Sequence, residues 1–199
     1  MSRQLPVIYL EARRRRDARQ SRLQFHALSD VIDDYIRGHR VPAAAEMAYF
    51  RDESFPVAIE YAALYKLADG HRHPHSYRRK LEALEESYRR LQAVAGEMRK
   101  CSSFEALHDL IEREIGGIHD IGPLTIYDVA TRIGAHLQFE PEKVYLHSGT
   151  KKGARALGLG RRRKTLEKAE LPVEFGRLTA SEIEDCLCLY KDYLGVFRA

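Results

Sequence analysis

Hydrophobic side chains recur every three or four residues along most of this chain, which is the spacing of amphipathic helices. Residues 25–37 place Phe25, Leu28, Ile32 and Ile36 on one stripe, so they are predicted to form a helix. No convincing run alternates apolar and polar residues as a half-buried strand would. The pattern therefore predicts an all-α protein.

Two further segments extend this helical pattern. Residues 55–67 are largely apolar, and Pro56 is suited to the first turn of a buried helix. Residues 76–100 are strongly charged and are predicted to form one long helix. Its expected apolar stripe is Leu81, Leu84, Tyr88, Leu91 and Val94.

Capping signals predict where two other helices begin. Ser102 and Glu105 have capping-box spacing at the start of segment 104–115, as do Thr179 and Glu182 near the C-terminus. The expected buried stripes are Phe104, Leu107, Leu110 and Ile111 in the first helix and Ile183, Cys186, Leu187, Tyr190 and Leu194 in the second.

A tight corner, Ile118–Pro123, joins two predicted helices. The second has the stripe Tyr127, Ala130, Ile133 and Leu137. Such turns usually read hydrophobic, Gly, hydrophobic, Gly, and they expose backbone N–H groups where the helix dipole favours a phosphate. Asp120 takes the first glycine position, and Asp tolerates left-handed backbone better than most residues. The alternative is an ordinary helical hairpin with a polar turn.

A second helix start follows an extended piece, 144–147. Ser148 is predicted as its N-cap, with Lys151 and Lys152 in the first turn. Lysines there oppose the helix dipole, so an anion is expected alongside. The helix is expected to stop at glycine 158 or 160, before the basic run "GRRRK".

Basic residues are concentrated in two blocks, although the net charge is only +4. Residues 1–25 hold seven Arg against Glu11 and Asp17, and residues 151–168 hold four Arg and four Lys against Glu167. Two such blocks favour a polyanionic partner. The alternative is a solvated surface with a disordered arm, predicted at residues 1–22.

Cysteines and hydropathy exclude several classes of protein. The three cysteines form no CxxC pair, so a zinc ribbon or a four-cysteine iron–sulfur cluster is excluded. They are expected to be reduced core residues, which fits the cytoplasm. No apolar run approaches about 20 residues, so no membrane span is predicted. The N-terminus does not have the pattern of a secretory signal.

The segment "GHRHPHSYRRK" places His71, His73 and His75 at alternating positions. A metal site is conceivable there, but no acidic or Cys ligand accompanies the histidines, so no metal is predicted. The other interpretations are an ordinary exposed loop and a DNA-contacting loop with His73 and His75 on the phosphates. In the latter, Tyr77 could stack on a displaced base.

Residues from Phe104 to Leu159 resemble the helix-hairpin-helix DNA glycosylases. "DIGPLTIYD" is similar to their hairpin and second helix, and "VYLHSGTKKGARALGL" to the segment that follows. The resemblance implies a two-lobed helical bundle with the motif at about 104–138 and a base-accepting cleft. Such enzymes flip a nucleotide out of the duplex and cut its glycosidic bond. The predicted DNA contacts are Ile121, Gly122, Leu124, Thr125, Ser148, Gly149, Thr150, Lys151, Lys152, Arg161 and Arg162, besides His73 and His75.

The chain departs from this family at its catalytic positions. The family aspartate would fall near Tyr145, or near Ser148 or Gly149, and none of these is acidic. The Schiff-base lysine of the bifunctional members would fall at Leu124, so a lyase reaction by that route is disfavoured. Asp128 matches a position that the family often fills with a structural Asp.

A replacement must stabilise positive charge on the sugar and position water. The candidates are His147, Tyr145 and Asp185, with Asp185 beside the developing cation and His147 orienting water or contacting a phosphate. The simpler interpretations are a surface or capping carboxylate for Asp185 and a packing or phosphate-contacting histidine for His147.

The sequence thus predicts one glycosylase-like domain over residues 23–199, a monomer without cofactor. It is expected to bind double-stranded DNA and, as a monofunctional DNA glycosylase, to excise a damaged or modified base. The role would be base-excision DNA repair or antiviral defence against modified phage DNA. One alternative is a non-catalytic helix-hairpin-helix DNA-binding protein. Another is a helical protein-interaction domain with an incidental basic surface.

Overall fold

The computed structural model describes residues 24–66 and 79–198, and these are mostly helical, which confirms the all-α prediction. The helices are α1 Leu28–Gly38, α2 Arg40–Asp52, α3 Phe55–Ala63, α4 Leu81–Ala93, α5 Ala95–Met98, α6 Phe104–Ile115, α7 Pro123–Leu137, α8 Ser148–Ala156 and α9 Ala180–Leu189. Short 3₁₀ helices span Lys168–Glu170, Val173–Arg177 and Leu194–Phe197. The predicted arm 1–22 and the predicted contacts His73 and His75, with Tyr77, lie outside the described residues.

Two short strands, β1 Val144–Tyr145 and β2 Thr165–Leu166, pair antiparallel with Val144 opposite Leu166. Each strand has only two residues, which is too short for an alternating pattern, so neither strand could be predicted from the sequence. In the described ranges, no helix has both the length and the apolar character needed to cross a membrane.

The chain divides into two compact units, and the division falls within α2. The first unit includes residues 45–66 and 79–140, and the second includes residues 24–44 and 141–198. The expectation of a single domain over residues 23–199 stays a prediction.

In the first unit, α7 packs against α3 and α6, and α4 packs against α3. Its fully buried side chains include Phe104, Leu107 and Ile111 of the stripe predicted for α6, and Ala130 and Ile133 of the stripe predicted for α7. These helices form the core that fixes the corner between α6 and α7.

The second unit is built around α8 and α9, with β1 against α9. Two glycines of α8 face α9 closely, since an added Cβ at Gly149 would clash with the Cys188 sulfur and one at Gly153 with the Leu187 carbonyl oxygen. The predicted stripe of α9 is entirely buried: Ile183, Cys186, Leu187, Tyr190 and Leu194.

Helix starts were predicted with mixed success. The Thr179–Glu182 capping box before α9 is present as expected. At α6 the N-cap is Ser103 rather than Ser102, because Ser103 has the extended backbone and its Oγ accepts from Ala106 N at 3.2 Å.

The first helix begins at Leu28 rather than Phe25. The backbone N–H groups of Ala27 and His26 donate to the Asp30 carboxylate and lower the pKa of Asp30, which secures this start. The Phe25 ring instead packs edge-on against Tyr190, with ring centres 5.6 Å apart.

The long helix predicted over 76–100 is wrong in extent, since α4 ends at Ala93. Leu84 and Leu91 of the predicted stripe are fully buried, but Leu81 is 46% exposed, and Ala83 and Ser87 are buried instead. Ser87 can be buried because its hydroxyl donates to the Ala83 carbonyl at 2.7 Å.

Of the three free cysteines, only Cys186 lies in the core. Burial raises the pKa of the Cys186 thiol, so it stays protonated. The expectation of core residues is wrong for Cys101 and Cys188, which are half-buried.

Candidate nucleic-acid interface

The corner between α6 and α7 is closed by a short backbone hydrogen bond from Ile121 N to Ile118 O, 3.1 Å long. Asp120 has φ +72°, so the residue in the first glycine position does adopt the left-handed backbone that the sequence predicts. Ile121 is 7% exposed and anchors the turn to the core. The corner is therefore a fixed turn with its glycine at the start of α7.

Gly122 is the N-cap of the fifteen-residue helix α7, and its backbone is extended. No side chain caps this helix start within the described chain, and a Cβ built on Gly122 would meet no described atom within 4 Å. The first backbone N–H groups of a helix have no partner inside it. Among the described residues, the space beside the Gly122 Cα is therefore open.

Several residues around this start are buried or half-buried. Thr125 is 1% exposed, and its hydroxyl accepts from Arg79 Nε at 2.6 Å. Leu124 is half-buried. Of the predicted contacts here, Ile121 and Thr125 are buried, and the Ile121 N–H is already bonded to Ile118 O.

A polar network lies behind the corner in the same unit. The Tyr65 hydroxyl donates to Asp128 at 2.8 Å, and the Arg132 guanidinium lies 4.7 Å from the centre of the Tyr65 ring. Arg132 also pairs with Glu46 at 2.9 Å. Burial and the Asp128 carboxylate raise the pKa of Tyr65, so its hydroxyl keeps the proton it donates. This places Asp128 in a structural contact.

The start of α8 differs by one residue from the prediction. His147 is the N-cap and Ser148 is already helical, since Lys151 N donates to His147 O at 2.9 Å. Lys151 and Lys152 are therefore the fourth and fifth helical residues. The predicted ends, Gly158 and Gly160, lie just beyond the helix with φ +82° and +73°.

A buried carboxylate, Glu184 of α9, lies at the first turn of α8. Its Oε1 accepts from the Thr150 hydroxyl at 2.5 Å and lies 2.8 Å from His147 Nε2. Glu184 is 8% exposed and His147 is 4% exposed. The protein itself thus supplies negative charge beside this helix start, where the sequence predicts an anion.

Glu184 is the residue that sequence reasoning missed. The available signal was its position inside the buried stripe of α9, one residue after Ile183 and three before Leu187. A charged residue on a buried face normally has a hydrogen-bonding partner.

The candidate Asp185 is half-buried and faces a different neighbour, the Tyr35 hydroxyl. Burial and then the Asp185 carboxylate raise the pKa of Tyr35, which therefore donates its proton in this contact. Successive residues of a helix point about 100° apart, so Glu184 and Asp185 serve different partners. Tyr145 of β1 is half-buried. In the structure, His147 therefore lies beside Glu184, whereas Asp185 lies beside Tyr35.

Among the other predicted contacts at α8, Ser148 and Lys152 are exposed and Lys151 is half-buried. The Thr150 side chain is fully buried, and Gly149 lies against α9. Only part of this helix start is therefore open to a ligand.

Beyond α8 lies a cluster of arginines for which no ion pair is found among the described residues. A concavity of 830 Å³, here called the arginine cavity, is lined by Arg155, Gly158, Leu159, Arg161, Arg162 and Arg198. The structure brings the predicted contacts Arg161 and Arg162 together with Arg155 and Arg198, which sequence reasoning did not single out. Arg198 is far from the others in sequence, so only the fold could reveal it.

One set of potential metal ligands occurs among the described residues. His108, Asp109 and Glu112 of α6 have ligand atoms within 4.8 Å of one another. Exposed carboxylates on one helix commonly meet in this way without a metal, and Asp109 is 81% exposed, so we assign none.

Comparisons with known proteins identify no relative: no family model, no curated protein and no solved structure matches this chain.

Proposed function

We propose that this protein binds double-stranded DNA through the phosphate backbone, as a divergent relative of the helix-hairpin-helix DNA glycosylases. The observation that carries the proposal is the corner Ile118–Pro123. It combines a left-handed Asp120 with a glycine at the start of α7 that no described side chain caps and no described atom crowds.

In the proposed complex, a backbone phosphate accepts hydrogen bonds from N–H groups at the start of α7, at the half-buried Gly122 and Leu124. The partial positive charge at the helix start adds to this attraction. These contacts reach no base edge, so binding depends little on DNA sequence.

The substitution Gly122→Val tests the corner directly. The φ of Gly122 is −112° and its surroundings are open, so valine fits the folded protein. Its branched side chain would instead occupy the path of the phosphate. Losing one or two charge-assisted hydrogen bonds of about 1.5–3 kcal/mol each should weaken duplex affinity at least about tenfold.

The matched control is Gly96→Val, another substitution at a glycine with open surroundings in the same unit. It should leave affinity unchanged in a fluorescence anisotropy titration. Both variants should keep wild-type helical circular dichroism. Wild-type affinity in the folded Gly122→Val protein would contradict the proposed role of the corner.

Excision of a damaged or modified base, in repair or in defence, is a second candidate function. The observation that favours it is the pairing of His147 with Glu184, because a carboxylate can orient an imidazole for proton transfer. The test is incubation of the wild type with duplexes that carry a panel of damaged and hypermodified bases, scored for free base and alkali-labile sites. If the protein binds these duplexes but releases no base from any of them, the result favours the non-catalytic DNA-binding function.

A further inference from the structure

The arginine cavity holds four guanidinium groups that no described carboxylate neutralises. The adjacent Arg163 is different, because it forms an ion pair with Glu170 and does not line the cavity. Glu170 is in turn held by the backbone N–H of Glu167 at 2.7 Å. The nearby acidic side chain therefore neutralises Arg163 and leaves the charge of the cavity intact.

The backbone around the cavity is ordered rather than a loose basic tail. Gly158 N donates to Arg155 O at 3.0 Å, immediately after the last turn of α8. A Cβ on Gly158 would lie in ordinary contact, 3.4 Å, with Arg198 Nε, so the Arg198 guanidinium lies directly beside this turn. Arg162 itself has φ +59°, a conformation that is unfavourable by about 1–2 kcal/mol for a residue with a side chain. Strain of this kind is typical of positions that present a functional group.

The lining indicates which ligand chemistry fits. Guanidinium groups bind phosphates through paired parallel hydrogen bonds. The remaining described lining residues are Gly158 and Leu159, so the cavity has neither an aromatic ring to stack on a base nor a carboxylate to accept from one. The cavity is therefore suited to phosphate groups rather than to bases.

Charge and shape then distinguish between phosphate groups of DNA. The side of a duplex is a convex surface on which each phosphodiester carries one charge. A terminal phosphomonoester protrudes from the duplex and carries about −1.5 to −2 charges at pH 7. Together with the adjoining phosphodiester, the terminal phosphate carries about −2.5 to −3 charges, against about −2 for two neighbouring backbone phosphodiesters, so it matches four arginines better.

We infer that the arginine cavity binds the terminal phosphomonoester of a DNA strand, so that the protein engages phosphorylated DNA ends. This inference rests on the proposed function, since it requires that DNA is the partner. The arginine cavity would be a second recognition site, which lies in the second unit, whereas the corner that contacts the DNA backbone lies in the first unit.

The test uses the full chain and duplexes of one sequence that differ only at their ends. These are a 5′-phosphorylated duplex, a 3′-phosphorylated duplex, a hydroxyl-ended duplex and a closed dumbbell without ends. We expect one of the phosphorylated duplexes to bind about tenfold or more tightly than the hydroxyl-ended duplex. The dumbbell should match the hydroxyl-ended duplex.

The double variant Arg155→Gln/Arg198→Gln should lose this preference, while the control Arg163→Gln should keep it. Equal affinity for all four duplexes would overturn the inference and leave the proposed function standing, whereas failure to bind the dumbbell would count against the proposed function itself. Preference that survives in the double variant would also overturn the inference. If micromolar ATP abolished the preference, the ligand would be a free nucleotide and the assignment to strand ends would be wrong.

Discussion

Single buried charges in this protein are held by specific partners. Glu184 accepts from Thr150 and faces His147, and the Tyr190 hydroxyl donates to Asp34 at 2.8 Å. Removing one member of such a pair leaves the other without its hydrogen bond in a poorly hydrated place. These contacts hold Glu184 and Asp34 in position, and the half-buried Asp185 is more accessible than either of these carboxylates.

A prediction at the residue scale follows for base excision. Asp185→Asn should reduce single-turnover base release on the order of 10²-fold while DNA affinity stays unchanged, because it removes only the negative charge that would face the sugar cation. The measurement is a single-turnover time course on the duplex that the wild type processes fastest.

Tyr35→Phe is the matched control, since it removes the hydrogen bond to Asp185 and keeps the carboxylate. This control should retain base release within a fewfold of wild type. Full turnover by Asp185→Asn would exclude Asp185 and direct attention to Glu184 and His147.

The sequence predicts single-residue geometry where the cause is local. The left-handed Asp120 could be anticipated, because Asp in a turn position tolerates that backbone. The left-handed Tyr65, with φ +52°, could not, because its conformation accompanies contacts with Asp128 and Arg132 that are distant in sequence. Glu184 could not be predicted for the same reason, because its partners Thr150 and His147 are distant in sequence.

At the scale of elements, the packing of α8 on α9 depends on small residues. Gly149 and Gly153 are one helical turn apart and both face α9. Their missing side chains let the two backbones approach, and this approach brings Glu184 to the first turn of α8.

We therefore predict that Gly153→Ala destabilises the second unit. Its Cβ would meet the backbone carbonyl of Leu187, which cannot move without shifting α9. Overpacking of this kind typically lowers the free energy of unfolding by about 1–3 kcal/mol. Urea denaturation would show this as a lower midpoint at an unchanged slope.

The control Gly176→Ala adds the same methyl group in open surroundings of the same unit. It should change the midpoint little. A midpoint for Gly153→Ala that equals the wild-type value would mean that the close approach of the two helices is not required.

Element boundaries were predictable where a capping box or a proline marks them, as at Thr179 and at Pro123. They were less predictable where two serines compete, as at Ser103, and where a helix breaks at Val94 without a proline. Hydrophobic spacing predicts which helix exists, but the burial of Ser87 in place of Leu81 depends on the neighbouring helices.

At the scale of the whole molecule, the net charge of +4 understates the attraction for a polyanion. The second unit holds the four arginines of the arginine cavity, which no described carboxylate pairs with, and the first unit holds a helix start at Gly122 that no described side chain caps. Local charge density and the helix start that no described side chain caps, rather than net charge, support the proposed function.

The most direct test of that function is the salt dependence of duplex affinity for the wild-type protein and for Lys151→Ala/Lys152→Ala. Each neutralised phosphate contributes about −0.9 to the slope of log affinity against log salt, so we expect a wild-type slope of about −3 or steeper. The double variant should have a slope shallower by about one to two. Absence of duplex binding at low salt, or an affinity that does not change with salt, would contradict the account.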